Sequence, residues 1–251
     1  MFQAKFGVWA MSRRRVSSRI VRRFIQMVAR LLREVGLVSL SKKVDHWLAV
    51  ARDLWKSQLA TELRVMLHSG RGDCFIDLGA HTGEQSLAAA ETMPVYAFEP
   101  DPVAVEKLKN NVSVGSQKYQ VVVIQKAATK FNGVTEFYGS NRGKMTTGSS
   151  SLVGTKKNVI GGEVYMVDTC DIGKFVKDLP FQKFIIKCDV EGAEYEVIES
   201  LGVHGVFDRV ILMFTEFHDS KIPGQWRKSL KMTFWNRLKW GIKRGQLVEW
   251  I

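Results

Sequence analysis

From residue 74 onward, short apolar runs alternate with helical patterns, and this alternation restricts the fold more than any other feature of the chain. Cys74–Leu78, Val95–Phe98, Val121–Ile124, Phe184–Cys188 and Val210–Phe214 read as strands. Helical patterns follow over Glu84–Thr92, Pro102–Asn111 and the residues after Gly192. Mostly apolar runs of four or five residues suit strands covered on both faces. Strands separated by helices form a mostly parallel sheet, an α/β fold. Val134–Tyr138 and Glu163–Val167 alternate instead and are expected as antiparallel strands. Open parallel sheets bind ligands at the carboxyl ends of their strands, where strand order reverses. Functional residues are therefore expected in the strand-to-helix turns.

Three turns carry chemistry. In the first, Asp77–Glu84, Gly79 permits close backbone approach and Gly83 a tight turn into the helix. The helix start presents unpaired N–H groups to a carboxylate or phosphate. The spacing is GxxxG, unlike the GxGxxG of dinucleotide folds. In the second, Glu99 ends the next strand, 22 residues after Asp77. An acid at that distance accepts hydrogen bonds from ribose hydroxyls, so the two turns together point to an adenosine ligand. The alternative is that Glu99 caps the helix after Pro100. In the third, strand alternation puts Lys187 and Asp189 on one face, and Glu191 and Glu194 start a helix whose dipole favours acids. A lysine in an apolar strand needs a charged partner. Asp189 and Glu216, at the end of the following strand, are the two candidates.

The net charge of +12 lies at the ends. Residues 1–33 carry nine Lys/Arg and no acid, and residues 219–251 are net +6, leaving 34–218 at −3. Val16, Ile20, Phe24, Val28, Leu31 and Val35 share one helical face, with arginines opposite. Such a helix suits packing on the domain, peripheral contact with an anionic membrane, or mitochondrial import, the last being the least favoured. A second helix is expected over 43–67. The C-terminal stretch interleaves Trp226, Phe234, Trp235 and Trp240 with basic residues. That pattern fits a terminal helix packing its tryptophans on the sheet, or aromatics stacking on RNA bases. Cys74, Cys170 and Cys188 form no CxxC pair, and no apolar run is long enough to span a bilayer. A reducing, cytoplasmic setting, with or without membrane association, is expected. The organisation expected is a basic helix over 1–40, a central domain over 41–218 and a basic, Trp-rich segment over 219–251.

The runs Phe75–Gly83, Ala97–Pro100 and Lys187–Glu194 resemble the FkbM family of S-adenosylmethionine-dependent methyltransferases. The resemblance covers roughly 74–218, and its last motif is the most specific. Gln125–Ala128 followed by Gly133–Tyr138, and Ser149–Leu152, are similar to the family's third strand, hairpin and serine-containing loop. Glu84 departs from the pattern, since members often carry an uncharged residue there; its carboxylate would face that of the cofactor. The resemblance implies a Rossmann-like class I methyltransferase fold, with a mostly parallel seven-stranded sheet and helices on both faces. It implies S-adenosyl-L-methionine as cofactor and methyl transfer to a hydroxyl of a sugar, other glycan or small natural product. Asp77, Gly79, Ala80, His81 and Gly83 would border the methionine and ribose part, with Glu99 on the ribose hydroxyls. Pro100, Ala127, Asp189 and Glu191 would line the same site, and Asp189, Glu191 and Glu194 would face the reacting region.

A hydroxyl acceptor needs a base. Asp189 is the first candidate, Glu216 the second and His218 the third, with Lys187 holding the cleft floor. No cluster argues for an obligatory metal, although the acids at 189, 191 and 194 could hold a divalent ion. Two other classes remain open: an RNA methyltransferase or RNA-binding module, and a membrane-anchored protein with a vestigial cofactor site. The segment 139–151, rich in turn formers, is expected as a substrate loop or a plain surface connection.

Overall fold

The elements are β1 (Cys74–Leu78), α1 (Glu84–Ala90), β2 (Val95–Phe98), α2 (Pro102–Val114), β3 (Val121–Ile124), β4 (Ala127–Thr129), β5 (Gly133–Tyr138) and β6 (Val164–Asp171). They continue with α3 (Ile172–Asp178), β7 (Phe184–Cys188), α4 (Glu194–Val203), β8 (Val210–Glu216), α5 (Arg237–Lys239) and β9 (Leu247–Trp250). The computed structural model describes residues 63, 65–140, 150–156, 159–219, 221–223, 237–243 and 245–250. All of them fall in one unit, Leu63–Trp250.

The main sheet runs β3-β2-β1-β7-β8-β9, with every neighbouring pair parallel. Among the described residues it has six strands, where seven were expected. Strands β1 and β7 are buried along their whole length, as their apolar sequences require of strands covered on both faces. The alternating strands lie elsewhere. β5 and β6 pair antiparallel, and β4 runs parallel to β6, forming a second sheet of three strands. The exposed Val134, Val164 and Met166 belong to strands with one covered face, which a doubly covered sheet cannot accept.

Local chemistry sets the helix starts. Asp101 caps α2, its Oδ1 accepting from the N–H groups of Val103 (2.9 Å) and Ala104 (3.2 Å), and Pro102 takes the first helical position. Asp171 caps α3 by accepting from the Lys174 N–H. The core gathers Ile76, Leu78, Phe98, Ile186, Val197, Ile198 and Met213, with Phe175 packed edge-on against Phe98 at 5.0 Å.

The sheet continues past the expected boundary at 218. β9 pairs with β8, Met213 opposite Leu247, and Leu247 and Val248 are buried. The stretch expected as a terminal helix thus ends in a sheet strand. Trp240 packs against the core, whereas Trp226, Phe234 and Trp235 lie outside the described residues. The basic helix over 1–40 and most of the helix over 43–67 also lie outside them. Leu63 and Leu67, at the end of the latter, are fully buried. Among the described residues no helix is long and apolar enough to cross a membrane.

The chain moves outward from β1 to β2 and β3, then returns to β7 and moves the opposite way to β8 and β9. Strand order therefore reverses between β1 and β7, and their carboxyl ends face a common crevice.

Candidate active site at the β1–β7 crevice

The floor of the crevice is an ion pair. Asp77 and Lys187 are opposite each other in the β1–β7 register, and Lys187 Nζ lies 3.3 Å from Asp77 Oδ1. The ammonium also donates to the Gly79 carbonyl at 2.6 Å, and Asp189 Oδ2 stands 4.0 Å away. Asp77 Oδ2 accepts from Ser86 Oγ on α1 at 2.7 Å. Burial alone would lower the Lys187 pKa, but the Asp77 and Asp189 carboxylates outweigh it and hold the ammonium above the ordinary lysine value. Asp77 is thus the closer partner of Lys187, ahead of the Asp189 and Glu216 expected from sequence. Glu216 stands instead 3.9 Å from His218 Nε2.

The β1–α1 turn is built on close approach. Gly79 has φ +78°, and a Cβ there would lie 1.9 Å from the Asp189 carbonyl oxygen. Gly83 has φ +87°, and a Cβ there would meet Leu108 at 2.2 Å. Both positions need glycine for their backbone conformation and for space. Glu99, 7% exposed, ties this turn to the next: Oε2 accepts from the His81 N–H at 2.8 Å and Oε1 from the Asp101 N–H at 3.0 Å. Burial pushes its carboxyl up to about 7, against the pull of those two N–H groups. Asp101, not Glu99, is the helix cap. Asp101 Oδ2 accepts from Tyr165 Oη at 3.2 Å, which fastens β6 to the site.

Across the crevice stands a charged cluster. His218, 2% exposed, has Nδ1 2.7 Å from Glu194 Oε1 and Nε2 2.9 Å from Glu191 Oε2. Burial would lower its pKa, but Glu191 and Glu194 raise it to about 10. Burial would raise the Glu191 carboxyl, yet His218 and the buried Lys156 hold it down to about 2. Glu191 takes up φ +55°, and its carbonyl accepts from Ser151 Oγ at 2.6 Å. Lys156 Nζ forms an ion pair with Glu191 Oε2, so the segment 150–156 is fastened across the β7–α4 turn.

Between these walls lies a cavity of about 290 Å³. Gly79, Ala80, His81, Glu99, Pro100, Ala127, Lys187, Asp189 and Glu191 line it, together with Glu84. The small sheet supplies a further wall through Phe137, with Leu152 beside it. Asp77 and Gly83 stand behind this lining, while Glu216 and His218 meet it through Asp189 and Glu191. Sequence reasoning did not single out Ser86, Lys156, Tyr165 or Asp101. An Asp-Pro pair opening a helix was a readable capping signal for Asp101. Lys156 sits in a loop without periodicity, and no pattern marks it.

The FkbM methyltransferase domain matches residues 77–239, which include every residue of the crevice described above. No curated protein matches the chain. Among solved structures, the precorrin-6y C5,15-methyltransferase of Geobacter metallireducens GS-15 is similar at 15% identity, with a TM-score of 0.32. The similarity covers 60% of this chain and 57% of that one, so the chain spans little more than half the length of that enzyme. The match over 77–239 takes in well over half of the 251 residues, and the chain belongs to the FkbM methyltransferase domain family.

Proposed function

We propose that this protein transfers a methyl group from S-adenosyl-L-methionine to a hydroxyl of a sugar or small natural product. The observation that carries the reading is the Glu99 carboxylate, buried at the crevice where strand order reverses and lining a cavity there. Each Glu99 oxygen accepts one backbone N–H, which leaves a lone pair on each for a vicinal diol. The residues present therefore fit an adenosyl ribose. The apolar Ala127 and Phe137 on the neighbouring wall suit a flat base.

When bound, S-adenosyl-L-methionine supplies a methyl group on a sulfonium, open to in-line displacement. The protein's own contribution is alignment and proton removal. Lys187 holds the Gly79 carbonyl and the Asp77 carboxylate, and so fixes the turn that borders the donor. Asp189 lines the cavity with a 30% exposed side chain and is the group best placed to accept a hydroxyl proton. His218 carries its proton between two glutamates at neutral pH, so it positions Glu191 and does not act as the base. Peripheral membrane contact through the basic N-terminal segment and a cytoplasmic location remain part of the proposal.

The test is incubation of the full chain with isotopically labelled methyl donor and hydroxylated small-molecule extracts, read by mass spectrometry. Label in one acceptor, lost with Asp189→Asn at unchanged donor affinity, supports the reading. Label transfer by Asp189→Asn at the wild-type rate refutes the base assignment.

A further inference from the structure

We propose that Asp101 is the positioning residue of the donor site: it fixes the Glu99 carboxylate and ties two walls of the cavity to it. The proposal rests on the reading of Glu99 as the acid that holds the donor ribose. Asp101 is 6% exposed, and its N–H donates to Glu99 Oε1 at 3.0 Å. The His81 N–H holds the other oxygen, Oε2, at 2.8 Å. Both Glu99 oxygens are therefore held, and the carboxylate has one orientation. Asp101 Oδ1 meanwhile caps α2, which anchors the residue to a 13-residue helix.

The remaining oxygen, Oδ2, gathers the neighbouring segments. It accepts from Tyr165 Oη at 3.2 Å and from Ser150 Oγ at 3.5 Å. Ser150 lines the cavity, and the Tyr165 ring packs edge-on against Phe137, another lining residue, at 5.4 Å. Tyr165 keeps its proton to donate, since burial and then the Asp101 charge raise its phenol. One buried carboxylate thus joins the acid that follows β2, strand β6 and the segment 150–156. A capping role uses only Oδ1 and leaves these contacts unexplained.

The arrangement has an electrostatic consequence. Two N–H groups and two hydroxyls donate to the Asp101 carboxylate, and all four are neutral. Neutral donors stabilise a charge without cancelling it, so its field reaches Glu99. Burial has the largest influence on the Glu99 carboxyl; Asp101 adds two opposed ones, its N–H favouring the carboxylate and its charge the acid form. The other groups facing Glu99 are His81 on the β1–α1 turn, Tyr165 on β6 and Lys187 on β7, whose ammonium favours the carboxylate. Asp101 therefore fixes the geometry of the acid and also raises the pH at which it becomes a full acceptor for a ribose diol.

The experiment compares Asp101→Asn with the wild-type full chain. Asparagine caps a helix as well as aspartate does, so the variant keeps the fold and loses the charge; circular dichroism checks this. The Glu99 carboxyl is titrated by NMR of isotopically labelled glutamate and assigned with Glu99→Gln. Its midpoint is expected to fall from about 7 to about 6, the scale of a neighbouring like charge. The loss of S-adenosylhomocysteine affinity between about pH 8 and about pH 6 should shrink about three- to fivefold. A merely structural role would weaken binding at both pH values and leave the midpoint in place. Tyr165→Phe is expected to weaken binding at about pH 8 by about two- to tenfold, the scale of one hydrogen bond. A Glu99 midpoint unchanged in folded Asp101→Asn, or affinity unchanged in folded Tyr165→Phe, would overturn the proposal. Absence of S-adenosylhomocysteine binding in the wild type would count against the methyl-transfer reading alone, because the Glu99 titration needs no ligand.

Discussion

A methyl group on Gly79 would lie 1.9 Å from the carbonyl oxygen of Asp189. The two turns that border the cavity are in backbone contact, and the contact exists only because residue 79 has no side chain. Gly79→Ala must open the β1–β7 crevice and also force alanine to φ +78°. The conformational penalty and the overpacking each cost about 1–3 kcal/mol. A fall in stability of about 2–5 kcal/mol by urea denaturation is expected, with loss of donor binding.

The Asp77–Lys187 pair is buried on both sides. Lys187→Met leaves the Asp77 carboxylate without its counter-ion and is expected to cost about 3–5 kcal/mol. Adding Asp77→Leu removes the stranded charge, and the double variant should recover much of that loss. Because the Lys187 pKa is raised, its contribution is complete below the unfolded lysine value and is lost only in strong alkali. Comparison of the variants at pH 7 therefore needs no correction for its titration. A double variant less stable than Lys187→Met would contradict the pairing.

His218 and Glu191 set opposite limits on stability. The His218 pKa is raised to about 10, so its contribution is complete below the unfolded value of about 6.5 and fades as pH rises toward 10. The Glu191 pKa is lowered to about 2, so its contribution is complete above about 4.5 and fades as pH falls toward 2. Melting temperature should decline on both sides of a plateau between about pH 4.5 and 6.5. His218→Asn should flatten the alkaline limb, and an unchanged limb would contradict the assignment.

Glu84 opens α1 and lines the cavity. A carboxylate there opposes the carboxylate of a bound S-adenosylmethionine. Glu84→Gln is expected to tighten donor binding about two- to fivefold, the scale of one partly exposed charge contact. The gain should shrink as salt is added. Weaker binding would show that Glu84 holds the amino group of the donor instead.

The parallel sheet was legible because strands such as Val95–Phe98 and Phe184–Ile186 are apolar without alternation. The crevice residues were legible as well, since Gly79, Glu99 and Asp189 each follow directly on such a strand. The partnership of Lys187 with Asp77 was not, since it depends on β1 and β7 being neighbours although 108 residues separate the lysine from Gly79. Strand β9 was hidden because Leu247 and Val248 are two apolar residues within a basic stretch. The short strand β4 carries too few residues for a period to show. Lys156 reaches Glu191 from a loop, and no local pattern encodes such a contact.

Calorimetric titration of the folded full chain with S-adenosylhomocysteine tests the central claim most directly. Saturable heat is predicted, weakened about ten- to a hundredfold in Glu99→Gln, the scale of a lost charge-assisted hydrogen bond. Affinity should also fall as pH drops through about 7, where the Glu99 carboxylate gains its proton and loses an acceptor. Absence of heat from folded protein, or equal affinity in wild type and Glu99→Gln across that range, would contradict the account.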